Sequence, residues 1–357
     1  MKKYYTRPCN FYYGNYAKKL IKKKKAFPVA GNLNIAFDQV EIFQRRKKGI
    51  VSSKIYPITK IKYLGGELPT IRKDLLKITS KRKSICGLKF DRPQIVGALN
   101  VTPDSFSDGG LFFDQSKAYD QTNLMISNGA TIIDIGGEST RPGSKVVNEK
   151  EEWNRIKNII IKIKKNFPKI PLSLDTRKSH VMKKGIESGV NIINDVSGLN
   201  FDEKSFGIIS SKKIPFILHH MQGTPDTMQK NPKYEDALLD IYDFFEEKIN
   251  FCINKNFKKQ LIVIDPGIGF GKNLEHNLRV ISKISTFHSL GCPILIGTSR
   301  KRFIEHIVTK FDTPDRTGGT LASVLYGLLQ GVQLFRVHNV KEINQGILVF
   351  NKILNTN

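Results

Sequence analysis

Cysteine is scarce in this chain. Cys9, Cys86, Cys252 and Cys292 lie far apart with no CxxC pair, which excludes a disulfide scaffold and a cysteine zinc site. The pattern suits a reducing compartment, and the cytoplasm is the expected location. No run of eighteen apolar residues exists, so no membrane span is expected. The N-terminus has lysines but lacks the apolar core of a signal peptide. No 20–50-residue repeat of the solenoid kind is present. Hydrophobic residues, at 39% of 357, are enough for a sizeable core and exclude wholesale disorder.

Acid is missing where base is abundant. Residues 1–85 hold 22 lysines and arginines against 4 acids, whereas residues 86–357 hold 36 against 28. A net charge of +26 points to nucleic acid, a membrane surface or an anionic substrate. The split assigns the first two to the N-terminal segment and leaves the rest to its motifs. Residues 1–29 read as a basic, poorly ordered arm: the first 27 hold nine basic residues, no acid and no clear period. Residues 30–91 read as an extension in which "LNIAFDQVEIFQRR" alternates well enough for one or two strands.

Residues 92–357 have a different rhythm. Eight short apolar runs, "QIVGALNV", "TIIDIGGE", "IPLSLDT", "VNIINDVSG", "PFILHHM", "LIVIDPG", "PILIGTS" and "LFRVHNV", alternate with amphipathic stretches such as Glu149–Asn166, Ser179–Ser188, Tyr234–Asn256, Leu274–Phe287 and Thr317–Gln330. Strands that are apolar on both faces and alternate with helices imply a parallel sheet covered on both sides. Eight βα units in about 265 residues predict an α/β fold, the (β/α)8 TIM barrel. The other candidate, an open doubly wound sheet, needs a strand-order reversal that no sequence shows.

The strand ends carry the chemistry. In order they deliver Asn100; Asp134 with Glu138 and Thr140; Asp175; Asn194; His219 to Gln222; Asp265; Lys301; and Arg336 with His338. A single polar residue there is usually a helix cap. Eight strands doing so together predict a site at the mouth of the barrel. Three carboxylates, two amides and a lysine suit a flat, nitrogen-rich heterocycle, because each of its edge groups needs a matched partner. Arg300, Arg336 and His338 suit a bound anion. "NVTPDSFSDGG" and "GGESTRPG" are longer than minimal βα turns and have the composition of loops that close over substrate, with Phe106 as an aromatic contact.

Other motifs fail on inspection. "DPGIGFGKN" has no glycine five residues before Gly271 and has Asn273 after Lys272, so it is not a P-loop, nor does it contain GxGxxG. "GTSRK" is not a nucleophile elbow. His219 and His220 are adjacent on a strand, point to opposite faces and cannot chelate one metal together.

Taken in order, "GALNVTPDSFSDGG" (97–110), "DIGGESTRPG" (134–143), "LSLDTRK" (172–178), "INDVSG" (193–198), "HHMQGTP" (219–225), "DPGIGFGK" (265–272), "GTSRK" (297–301) and "RVHNV" (336–340) resemble the dihydropteroate synthase family. The resemblance runs from about Pro93 to Leu354. It implies a transferase of folate biosynthesis, a sulfonamide target, that joins 6-hydroxymethyl-7,8-dihydropterin diphosphate to 4-aminobenzoate and releases diphosphate. It implies that Asp175, Asn194, Met221, Asp265, Phe270 and Lys301 hold the pterin. Asn100, Thr140, Arg336 and His338 would take the diphosphate, and Asn100 would hold Mg²⁺. Ser105, Phe106, Thr140, Arg141, Pro142 and Ser299 would form the aminobenzoate pocket. Asp175, Lys301, Asp104 and Arg336 would serve catalysis.

Two departures from the family pattern are Asn339, where Asp commonly follows the histidine, and Arg302, where Ser is usual. Neither falls on a matched position, and Asn339 is expected to point away from the mouth. A homodimer with small-molecule substrates is implied, with no specific nucleic acid and no membrane as partner. Three alternatives stay open: a pterin-binding methyltransferase acting on a methylated reduced folate, a nucleic-acid-binding protein resting on the basic arm, and an inactive paralogue.

Overall fold

The computed structural model describes residues 3–46, 51–102, 115–139, 146–224, 227–308 and 315–356. Within them, an N-terminal layer of sheet and helix lies against the flank of an eight-stranded barrel. The layer comprises β1 (Lys3–Tyr13), α1 (Gly14–Lys22), β2 (Phe27–Val29), β3 (Asn32–Arg45), β4 (Val51–Pro57) and α2 (Leu68–Thr79). The barrel follows as β5 (Gln94–Asn100), α3 (Gln115–Ser127), β6 (Ile132–Gly136), α4 (Glu149–Asn166), β7 (Leu172–Asp175), α5 (Ser179–Glu187), β8 (Ile192–Asp195), α6 (Ser205–Lys212) and β9 (Phe216–His219). It continues with α7 (Ala237–Asn254), β10 (Ile262–Asp265), α8 (Leu274–Ser282), β11 (Leu295–Ile296), α9 (Arg302–Ile307), α10 (Thr317–Leu329), β12 (Leu334–Val337) and α11 (Val340–Leu354).

The eight strands are parallel in the order β10-β9-β8-β7-β6-β5-β12-β11. A parallel bridge from Ile264 to Ile294, just before β11, brings the two edges together, so the strands form a nearly closed (β/α)8 barrel, as the rhythm predicts. The expected helix Glu149–Asn166 is α4. Asn148 caps it by accepting from the Glu151 amide at 2.9 Å, acids fill its first turn and lysines its last, and Ile156, Ile159, Ile160 and Ile163 form the buried stripe.

The two-residue period of the strands divides the barrel interior into layers. Val96, Ile132, Ile192, Ile217, Val263, Leu295 and Leu334 make an apolar floor at the strand beginnings. A tight turn, in which Ile85 pairs with Leu88 across Cys86 and Gly87, plugs that end with Ile85 and Phe90. Two residues further along, the inward positions become Asp134, Asn194, His219, Asp265 and Arg336. The fold therefore leaves only the C-terminal ends of the strands for a site.

The expectation for residues 1–29 is overturned. Residues 3–29 form β1, α1 and β2, and β1 pairs antiparallel with β3 from Lys3–Arg45 to Tyr13–Ile35. Tyr5 is fully buried and meets Tyr242 of α7 edge-on at 5.1 Å. Lys3 bridges Asp243 and Glu246 at 2.7 Å each, and Thr6 donates to Asp74 at 2.9 Å. The misreading has a physical cause. With β3 alongside and the barrel and α2 packed against it, β1 buries Tyr5 and Thr6, then Pro8 and Cys9, consecutively, so no two-residue alternation appears.

Candidate active site

A charge network spans the barrel mouth. Arg336, inward on β12, donates through Nε to Asp134 Oδ2 at 2.6 Å and through an Nη to Asp175 Oδ2 at 2.9 Å. Asn194 Nδ2 donates to the same Asp134 oxygen at 3.1 Å. The other Asp134 oxygen, Asn194 Oδ1 and Ser173 Oγ are buried without a hydrogen-bond partner among the described residues. Buried acceptors of this kind are satisfied by a bound group that donates.

The opposite wall comes from β10 and β11. Asp265 Oδ1 accepts from the Gly267 amide at 2.8 Å. Lys301 holds its ammonium over the Phe270 ring at 3.9 Å, and His219 meets the same ring edge-on at 4.6 Å. Gly267 has φ +66, and a Cβ there would lie 2.0 Å from the His220 carbonyl oxygen; Gly269 has φ +82, and its Cβ would press on the Lys301 stem at 3.0 Å. The chain can turn beneath Lys301 because these two positions lack side chains.

Burial and charge shift the ionisable groups. Burial raises Asp175 to about 7; Arg336 opposes the shift, and Asp134 and Glu152 add to it. Asp265 is raised by burial to about 6, against the Gly267 amide. Burial, reinforced by Arg336, lowers Lys301 to about 8. Arg336 itself, despite burial, is raised by Asp134 and Asp175 and stays charged. Burial drives His219 and His220 well below their ordinary value, so both rings are neutral. The two histidines part as expected, His219 toward Val196 O and Phe270, His220 toward Lys272 and Phe244.

Of the expected site residues, the structure brings together Asp175, Asn194, Asp265, Phe270, Lys301 and Arg336. Arg336 sits among the carboxylates of the floor. His338 instead pairs with Ser299, Nδ1 to Oγ at 3.0 Å, joining two residues assigned to different subsites. Asn100 ends β5 and Met221 follows β9, both half-buried. Asp104, Ser105, Phe106, Thr140, Arg141 and Pro142 lie outside the described residues. Asn339 accepts from Arg300 Nε at 2.9 Å. Arg302 lines a cavity of about 930 Å³ that opens beside Phe270 and Lys301. A smaller cavity of about 240 Å³, lined by Tyr13, Asn32, Phe90 and Gln333, lies where the extension meets the barrel, away from these carboxylates.

Three features go beyond what the sequence indicates. Asp134 is one of the three carboxylates that suit the ring, but the resemblance assigns it no subsite, and its ties to Arg336 and Asn194 emerge only in the structure. Its signal is a charge at an inward position of an otherwise apolar strand. Lys272 is buried beneath the Phe270 turn. Glu138 accepts from the Val147 amide at 3.0 Å, Arg177 at 3.1 Å and Lys178 at 3.0 Å, while Lys178 also reaches Glu152 at 2.5 Å. These long-range pairs tie both flanks of residues 140–145 to the body, and no local spacing announces them.

The site's relatives are consistent. The family of pterin binding enzymes matches residues 96–338. The dihydropteroate synthase of Escherichia coli K12 is 39% identical over 267 residues, 75% of this chain and 94% of that protein. Among solved structures, the Yersinia pestis dihydropteroate synthase with a sulfonamide drug complex is 37% identical at a TM-score of 0.71, covering 76% of this chain and 98% of that one. The Xanthomonas albilineans enzyme in complex with 7,8-dihydropteroate is 31% identical at 0.69, covering 77% of this chain and all of that one. A parallel barrel whose mouth converges three carboxylates, an amide, an arginine and a lysine, and whose matches span nearly the full length of these proteins, belongs to the dihydropteroate synthase family, transferases among the pterin-binding enzymes.

Proposed function

We propose that the mouth divides the condensation between a ring floor and an outer rim. Asp134, Asp175, Asn194, Asp265 and Lys301 face the pterin edges, with Phe270 and Met221 beside the ring. The observation that carries this is a pair of buried acceptors, Asp134 Oδ1 and Asn194 Oδ1, that have no partner among the described residues. A pterin ring presents N–H donors on one edge and a carbonyl on another, which suits these acceptors and the Lys301 ammonium.

The chemistry follows from charge. The methylene C–O bond breaks and its electron pair leaves with diphosphate, so positive charge develops on carbon and spreads into the ring. Asp175, ionised and held by Arg336, is a fixed anion for that charge, an effect worth several kcal/mol. The neutral arylamine attacks with its lone pair and afterwards releases a proton to solvent. No strong base is needed beforehand. Asn100, His338 and Thr140 are assigned to the diphosphate. Ser105, Phe106, Arg141, Pro142 and Ser299 are assigned to the aminobenzoate, and Asp104 to the catalytic loop.

Mg²⁺ fits as a substrate-borne ion. Among the described residues no three His, Cys, Asp or Glu side chains converge on a metal. Mg²⁺ bound with phosphates needs only one or two protein oxygens, however, and the Asn100 carbonyl supplies one. When bound it neutralises charge on the departing diphosphate.

The test is direct: purified protein with pterin diphosphate, 4-aminobenzoate and Mg²⁺ should release diphosphate and form dihydropteroate in equal amounts. Diphosphate release that yields no dihydropteroate when 4-aminobenzoate is present defeats the assignment, and methyl transfer from a reduced folate would favour the methyltransferase. We further propose a cytoplasmic homodimer. Four free cysteines suit the compartment, and exposed Tyr326, Leu348, Val349 and Ile353 on α10 and α11 offer apolar surface for a second copy. Sedimentation equilibrium at twice the monomer mass is the expected result.

A further inference from the structure

Lys272 is 2% exposed and has no carboxylate in ion-pair contact among the described residues. Its Nζ donates to the carbonyls of Gly267 and Phe270 at 2.9 Å each, and it lies 3.0 Å from His220 Nδ1. Those are three partners for a group with three hydrogens, and the set is self-consistent at either charge. An ammonium donates three times. A neutral amine donates twice and accepts from an Nδ1–H tautomer of His220. Burying such a nitrogen where a methionine would fit more cheaply calls for a reason beyond packing.

The reason lies in what the two carbonyls belong to. The Gly267 amide holds the Asp265 carboxylate at 2.8 Å, and the Phe270 ring lies 3.9 Å beneath the Lys301 ammonium. The segment from Gly267 to Gly271 contains Gly267, Gly269 and Gly271, all at positive φ, the region that glycine adopts without strain. One nitrogen thus ties down a permissive turn at the two points that set the aim of a residue on β10 and a residue just after β11.

We propose that Lys272 is a positioning residue for the ring floor: by tying Gly267 and Phe270 together it fixes how Asp265 and Lys301 meet the edge and face of the bound ring. This rests on the ring-binding reading above. Lys272 makes no contact with the reacting atoms in this account; it acts through Asp265 and Phe270.

Lys272→Met removes the three contacts at nearly constant volume. Calorimetry with 6-hydroxymethylpterin, which carries the ring without the diphosphate, is expected to show affinity about 10-fold weaker or more, the size of one misplaced buried hydrogen bond. Affinity for inorganic diphosphate with Mg²⁺ should stay within about two-fold, because the rim residues are untouched. In a Phe270→Ala background the same substitution should cost much less, since part of what it positions is gone. Unchanged ring affinity, or equal losses for ring and diphosphate, overturns the proposal. Lys272→Gln, which keeps two donors on a shorter stem, should show the same pattern at smaller amplitude and serves if the methionine variant folds poorly. Wild-type protein that binds no pterin would instead defeat the ring-binding reading, so the two failures are distinguishable.

Discussion

The barrel and the N-terminal layer use charge in opposite ways. In the barrel, opposite charges converge inward on one another, Arg336 on Asp134 and Asp175, and the resulting network is the site. In the N-terminal layer, charge works at a seam. Lys3 and Arg45 grip Asp240, Asp243 and Glu246 on α7, while Arg7 and Lys283 share the buried Glu41. The excess base of the first 85 residues is thus partly the complement of an acidic stripe on the barrel flank. Six further lysines, Lys18 and Lys19 on α1 and Lys22 to Lys25 at its end and in the turn after it, face solvent. A single net charge conceals two functions, attachment and solvation.

That contrast is broken most severely by removing residues 1–29. The match to the Escherichia coli enzyme covers 94% of that protein but 75% of this chain, so the layer is additional to a complete barrel. It has nevertheless become part of the core, because Tyr5 and Phe43 pack with Tyr242, Phe245 and Phe287 in one cluster. Deletion strips β3 of its paired strands β1 and β2 and exposes the acidic stripe with its aromatic neighbours. Fully burying one such ring stabilises by about 1.5–3 kcal/mol, and several are involved. The truncated protein is expected to be insoluble or to melt at least about 10 °C lower by calorimetry. Melting within about 2 °C of the full chain would return these residues to the status of a tail.

Within the barrel the largest expected loss is Asp175→Asn. Without its anion, the developing positive charge loses about 3 kcal/mol of stabilisation, or roughly 100-fold in rate. Pterin diphosphate affinity should fall much less. The variant should also slow C–O cleavage measured without arylamine. Equal losses in binding and cleavage would make Asp175 a binding residue only.

The barrel was legible because its signals are local and repeated. Apolar runs end in polar residues eight times, and α4 begins and ends where its caps and charges indicate. The inward order of Asp134, Asp175, Asn194 and Asp265 follows from strand period alone. The chemistry of Arg336 suits a bound anion. Its position in the strand, two residues beyond the floor residue Leu334, sets it among the carboxylates. The N-terminal strand was illegible because it is buried on both faces, and lysine-rich neighbours masked five aromatic residues in eleven (Tyr4, Tyr5, Phe11, Tyr12 and Tyr13). Asp240, Asp243 and Glu246 at helical spacing were the available hint that something basic docks on α7.

The ring floor also predicts a pH profile. Its active form needs Asp175 ionised and Lys301 protonated. With Asp175 raised to about 7 and Lys301 lowered to about 8, kcat/KM for pterin diphosphate should fall below about pH 7 and again above about pH 8. Lys301→Ala should remove the alkaline limb and weaken pterin diphosphate binding about 10-fold, and Asp265→Asn should weaken it by a similar factor. An alkaline limb that survives in Lys301→Ala would assign it to another group.

The smallest effect is expected from the lysines that no acid answers. Lys22, Lys23, Lys24 and Lys25 end α1 and form the turn after it, exposed and without an ion-pair partner among the described residues. Their neighbourhood locates them. The start of α1 lies against the last residues of α11, since a Cβ on Gly14 would meet the Leu354 carbonyl oxygen at 2.5 Å, and Tyr13 donates to Leu329 O at the end of α10. Helices in this barrel end where the strands begin, so the lysines sit at the plugged end, opposite the mouth. Screening at physiological salt extends only about 8 Å. Steering of the two anionic substrates from that distance should therefore be weak. Replacing all four with glutamine is expected to change KM for pterin diphosphate less than two-fold at physiological ionic strength. A several-fold rise at low salt that vanishes at high salt would show that the charge acts on the mouth after all, through the field of the whole molecule rather than through contact.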